Sequence, residues 1–187
     1  GNRGIIHNED KEIVAQWRHK AWVTCKLEFK GTKRTLFGQG SYTELFFLDE
    51  ATALSAGHRP CAECRRDRYN EFKSLWCLAN LEDASTTSVP IANIDKQLHS
   101  ERALRGGEKV TFQTDFGTLP DGVFVDIKGI SFLLWQGILL EWTPHGYSKS
   151  DFALNSTDVV TVLTPASIVK LFSKGFKPQV HETAVSC

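Results

Sequence analysis

The sequence predicts an α+β fold: an α/β amino-terminal half, then a mainly antiparallel β-meander or small barrel, then a carboxy-terminal helix. Three observations carry that expectation. Residues 42–76 read as a strand, a short helix, a tight exit, a Cys-x-x-Cys pair and a second helix. Residues 110–163 hold five short β-branched and aromatic runs set apart by Gly- and Pro-bearing turns. Between them, residues 81–90 (LEDASTTSVP) have the Ser, Thr and acidic content of a linker or surface loop. The chain accordingly divides into a region 1–80, a connection 81–94 and a β-rich region 95–187, which can still form one compact unit.

Taken in order, residues 1–11 are polar and glycine-containing and read as a loose arm. Residues 12–20 place Ile13, Val14 and Trp17 near helical spacing, which predicts a short helix. Residues 21–29 alternate well enough for a strand, with Cys25 near its middle. Lys30-Gly31-Thr32-Lys33-Arg34 and Gly38-Gln39-Gly40-Ser41 are turn sequences. The run TELFFL at 43–48 predicts a second strand. Asp49 is a good N-cap for a helix over 50–56, with Gly57 just past its end. His58-Arg59-Pro60 must be extended, because a residue before proline avoids the helical region. After Cys64, a helix carries Tyr69, Phe72, Leu75 and Trp76 on one side, a face suited to the core. Asp95 is placed to cap a helix through Leu104, closed by Gly106-Gly107. Strands are expected over 110–114, 123–127, 130–136, 138–142 and 159–163. Thr164-Pro165 then open a helix that Gly175 ends.

Composition narrows the classes. With 41% hydrophobic and 24% charged residues, the 187-residue chain is an ordinary globular protein, long enough to bury a core. No apolar run has the length to span a bilayer, and no signal-peptide pattern begins the sequence. The 22 basic and 22 acidic residues cancel, which excludes a strongly basic nucleic-acid binder while leaving room for a local patch. Five cysteines, unevenly spaced, make no disulfide scaffold, so a reducing, cytoplasmic location is expected.

The chemistry concentrates at Cys61 and Cys64. At the start of a helix their sulfurs would lie one turn apart on one face, beside the positive helix end that favours thiolate. Such a dithiol can fill two of the four tetrahedral positions around zinc. One pair alone is also compatible with a redox dithiol or with two inert buried thiols. Redox pairs of this kind follow a strand in a βαβ unit, however, and a third thiol, Cys25 in AWVTCKLEF, favours a metal. His19, six residues before Cys25, is the nearest spare ligand for a Cys3His site. Its alternative is a solvated histidine between Arg18 and Lys20.

The run FFLDEATALSAGHRPCAEC, residues 46–64, resembles the second half of the Ada-type zinc-binding domain of bacterial alkylation-repair proteins. Shared are an aromatic strand, an acidic helix start, an Ala-rich helix, a glycine, and Arg-Pro-Cys followed three residues later by Cys. The likeness covers about residues 17–76. It implies a zinc site in which Cys61 and Cys64 are the second cysteine pair. Cys25 then matches the first cysteine, which in that family also accepts a methyl group. Four residues after Cys25, where the family has another cysteine, this chain has Phe29. With one thiolate of the family's four missing, methyl transfer is not expected.

Several cations cluster near these cysteines in sequence. Arg59, Arg65, Arg66 and Arg68, with Lys26, Lys30, Lys33 and Arg34, read as the basic side of a phosphate-binding surface. His99 and Arg102, three apart on one helix face, can hold a phosphate or carboxylate. Asp67 and Glu71 supply the alternative of a solvated, mixed-charge face. Three functional classes follow. The first is a zinc module that binds DNA, RNA or another anionic partner. The second is a zinc hydrolase of deaminase type, since Pro60-Cys61-Ala62-Glu63-Cys64 fits P-C-x-x-C with Cys25 as the upstream ligand. That chemistry needs a glutamate where Leu27 stands, and Glu28 comes one residue late. The third is a purely structural zinc site.

Overall fold

A six-stranded antiparallel sheet dominates the carboxy-terminal half of the computed structural model, which describes residues 1–31, 35–82 and 88–186. In chain order the elements are β1 (Val23–Thr24), α1 (Glu50–Ser55), β2 (Arg59–Pro60), α2 (Arg66–Asn80) and α3 (Ile91–Arg102). There follow β3 (Phe112–Asp115), β4 (Phe124–Ile127), β5 (Ile130–Trp135), β6 (Ile138–Thr143), β7 (Gly146–Lys149) and β8 (Val159–Val162). Two helices, α4 (Ala166–Ser173) and α5 (Glu182–Val185), complete the fold.

Strands β4 to β7 form the expected meander, and β8 returns between β3 and β4, giving the order β3-β8-β4-β5-β6-β7. Lys128-Gly129 and Gln136-Gly137 close the β4–β5 and β5–β6 hairpins, all four residues having positive φ. This is the geometry that two-residue hairpins favour, because its twist matches that of the strands. One sheet face meets α2, α3 and α4 in a core that includes Phe72, Trp76, Ile94, Leu98, Phe132 and Ile168. A smaller cluster on other sheet positions joins Phe124, Leu133, Leu140 and Tyr147 to Ala51 of α1 and Ala184 of α5. Helix α2 from the first half thus shares its core with strands from the second.

The amino-terminal half departs from expectation in several places. Residues 12–20 form no helix: Ile13 bridges to His7, and Trp17 packs against Trp22 and His99. Residues 1–11 are not a loose arm, for Asn2 bridges to Val23 and Ile6 is 2% exposed. The strand expected over 21–29 shortens to the two residues of β1. Residues 43–48 run beside the first four residues, with Thr43 N–H donating to Gly4 O (3.0 Å) and Leu45 N–H to Gly1 O (3.0 Å), but form no regular strand. In each case a tertiary neighbour, rather than local periodicity, takes the backbone groups.

Other shifts are smaller. Asp49 caps α1 as expected, its Oδ1 accepting from Thr52 N–H at 2.8 Å, and Gly57 follows with φ +79°. Helix α3 begins at Ile91 after Pro90, so Asp95 lies inside it and is buried. Pro165 rather than Thr164 is the N-cap of α4; the Thr164 hydroxyl instead accepts from Phe124 N–H (2.9 Å). Strand β7 was not expected, since Gly146-Tyr-Ser-Lys149 has little of the β-branched signal that marks its neighbours. The basic turn residues Thr32, Lys33 and Arg34, and residues 83–87 of the expected linker, lie outside the described residues.

Candidate metal centre

Strand pairing builds the site. β1 and β2 run parallel with Val23 opposite Arg59 and Thr24 opposite Pro60, so the residues that follow them, Cys25 and Cys61, arrive side by side. Cys61 N–H continues the pairing by donating to Thr24 O at 3.0 Å. Cys64 follows in the turn that leads into α2, closed by Arg65 N–H on Cys61 O (3.1 Å). The Cys-x-x-Cys pair therefore precedes the helix instead of opening it. Reduced Cys25, Cys61 and Cys64 bring their sulfurs within 4.8 Å of one another, and among the described residues this is the one group able to hold a metal ion.

The surroundings suit thiolates. Lys26 N–H donates to Cys64 Sγ at 3.3 Å. Burial opposes ionisation of Cys61, but hydrogen bonds from the backbone of Cys64 and Glu63 and from the neighbouring thiols bring its pKa below the usual value. Burial, then the proximity of Cys61 and Cys64, pushes Cys25 up to about 12. Three sulfurs this close cannot all carry charge unaided. A divalent cation between them relieves that conflict, because it offsets two of the three thiolate charges.

His19 does not join the group. It is exposed, and its carbonyl accepts from Trp22 Nε1–H at 2.9 Å. Phe29 lines a cavity of about 380 Å³ with all three thiols.

The expected anion-binding residues have diverse fates. Arg59 is buried and bidentate to Asp95, Nε to Oδ1 at 2.7 Å and Nη2 to Oδ2 at 2.9 Å. Arg102 is buried too: Nη1 and Nη2 donate to Gly57 O and Lys20 O, and its guanidinium lies 3.9 Å from the Trp22 ring centroid. Both face inward, which corrects their assignment to a binding surface. His99 sets its ring edge-on to Trp17 and Trp22 and touches Arg102. Arg68 is held by Glu50 and Glu71. Arg65 stands 3.8 Å from Glu50, which leaves Arg66 as the exposed member.

Sequence reasoning missed what braces the cysteines. Arg3 stacks on Trp22 at 3.9 Å, as Arg102 does, and its Nε donates to His58 Nε2 at 3.2 Å. Gly57 is needed twice, for its positive φ and because a Cβ there would meet Arg102 Cδ at 2.4 Å. The pattern "Gly-His-Arg-Pro-Cys" thus has a local reason at each step: a close approach to Arg102, an acceptor for Arg3, a partner for Asp95, and an extended lead into the thiols.

Comparison with family models, curated proteins and solved structures finds no match to this chain. No helix is long and apolar enough to cross a membrane among the described residues.

Proposed function

We propose that the protein binds one zinc ion through the thiolates of Cys25, Cys61 and Cys64, and that the ion fixes the amino-terminal half against α2. The observation that carries this is the convergence of three reduced cysteines from two chain segments within 4.8 Å. Three sulfurs select a soft or borderline cation, and zinc is the common one in tetrahedral thiolate sites. The ion supplies a further link between segments whose regular pairing is limited to two short strands. The likeness of residues 46–64 to the Ada-type domain supports the same reading. It points to a variant with three thiolates.

An anionic partner such as DNA or RNA would meet Lys26, Lys30, Arg65 and Arg66, but Glu44 and Glu63 line the same cavity as the two lysines. With Arg59 and Arg102 buried, charge favours the structural role over nucleic-acid binding. A deaminase-type hydrolase is favoured less, because leucine stands at position 27 where the glutamate is needed, and Glu28 is exposed and does not line the cavity at the thiols. Elemental analysis of protein purified without chelator should find about one equivalent of zinc, lost in Cys61→Ser. Metal below about a tenth of an equivalent, or a disulfide between Cys61 and Cys64, would overturn the proposal.

A further inference from the structure

We infer that the ion's fourth coordination position opens onto the cavity beside Cys25 and takes a small exogenous thiol with an apolar body. This rests on the zinc reading above. Among the described residues the group contains three thiols and no imidazole or carboxylate, one donor short of a tetrahedron. All three cysteines line the 380 Å³ cavity, and Cys25 also lines an adjoining one of about 560 Å³. The incomplete side of the site therefore faces a cleft and not the core.

The walls indicate what fits. Leu27, Phe46 and Leu36 are 85%, 61% and 50% exposed, and all three line the first cavity. Exposed apolar side chains lining a cleft that also holds polar groups are the form of a ligand site. At the floor, three thiolates make a soft donor set that accepts a fourth sulfur readily. Glu44, one of whose carboxylate oxygens is buried without a partner, and Glu63 stand on the same lining. Lys26 and Lys30 stand there too, so these charges offset one another and the apolar walls choose the ligand's body. On binding, the sulfur–zinc bond forms in place of a metal-bound water, and the S–H proton leaves to solvent.

The test separates this inference from the zinc reading. X-ray absorption on the zinc-loaded protein should show three sulfurs and one lighter atom; four sulfurs without added thiol would mean that the chain closes its own site, and would overturn the inference alone. Cobalt(II)-substituted protein titrated with 1-propanethiol should gain about a third in thiolate-to-metal charge-transfer absorbance, saturably, as three sulfurs become four. 2-Mercaptoethanol, of similar size but with a polar end, should bind at least about tenfold more weakly. Leu27→Asp, at a side chain that is 85% exposed, should keep its metal and lose about tenfold in propanethiol affinity. An absent titration, equal binding of the two thiols, or an unchanged Leu27→Asp would each refute it. Failure to bind any metal would remove both readings together.

Discussion

Residues 110–163 and residues 1–64 fold by different means. In the first stretch, strands of four to six residues satisfy one another's backbone groups and bury Val125, Phe132, Leu133 and Leu140 to 0% exposure. In the second, the longest strand has two residues, and isolated backbone bridges are braced by side chains: two arginines on Trp22, a buried ion pair, and three thiols. Apolar burial is nearly indifferent to orientation, whereas each polar link works only in one geometry. The amino-terminal half should therefore be the more brittle, and each prediction below either breaks that contrast or sharpens it.

The largest effect should come from the metal. A structural zinc contributes on the order of 10 kcal/mol or more in small zinc modules. Chelation, or Cys61→Ser, should expose the amides of residues 23–25 and 59–65 to hydrogen exchange while β4 to β6 stay protected. Equal loss of protection in the sheet would mean that the two halves unfold as one, and that the contrast is one of appearance. Phe132→Ala is the converse experiment. Removing a fully buried ring from the sheet should cost about 3–5 kcal/mol in denaturant unfolding. Zinc content under native conditions should not change.

Asp95→Ala addresses the polar links themselves. It leaves Arg59 buried beside Pro60-Cys61 without a carboxylate, at a cost of about 3–5 kcal/mol. The paired replacement Arg59→Met with Asp95→Leu should recover most of that in thermal melts, since an apolar pair needs no desolvation of charge. If the double variant is as unstable as the single one, the pair is setting geometry at the thiols rather than merely avoiding an orphaned charge.

The same contrast explains what was legible in the sequence. Five of the six strands of the sheet, all but β7, were readable within two residues at either end because alternation, β-branching and the Lys128-Gly129 and Gln136-Gly137 turns are local signals. Cys25, Cys61 and Cys64 were readable as a set from thiol spacing. Residues 12–20 were not, because Trp17 answers to Trp22 and His99 rather than to its own helical neighbours. Nor could charge alone distinguish Arg66, which is exposed, from Arg59 and Arg102, which are buried. An arginine's burial depends on a distant partner, here Asp95 or the carbonyls of Gly57 and Lys20. His58 carried no sequence signal for its role either, and it supplies the last and smallest prediction.

His58 is fully buried, its ring tilted against those of Phe47 and Trp22, with Nε2 accepting from Arg3 Nε–H at 3.2 Å. Arg3 can only donate, so Nε2 must be free of a proton. Burial first, then the cations Arg3 and Arg102, hold the His58 pKa well below 6.5. The sign follows from proton counting. Once unfolded, the ring takes up a proton as pH falls through about 6.5, while in the fold it stays neutral. Its contribution is thus complete above that pH and is lost as the solution is acidified, by at most about 1.4 kcal/mol per pH unit for one proton. Zinc thiolates are also lost in acid, so the measurement compares chemical denaturation of the zinc-saturated parent and His58→Phe between pH 7 and 5.5, where the metal's contribution is common to both and cancels in their difference. The variant should be less stable at pH 7, having left Arg3 without its acceptor, and its stability should fall less steeply with acid. Parallel pH profiles would mean that the ring is not held neutral, and that the Arg3–His58 link is no part of what orders the amino-terminal half.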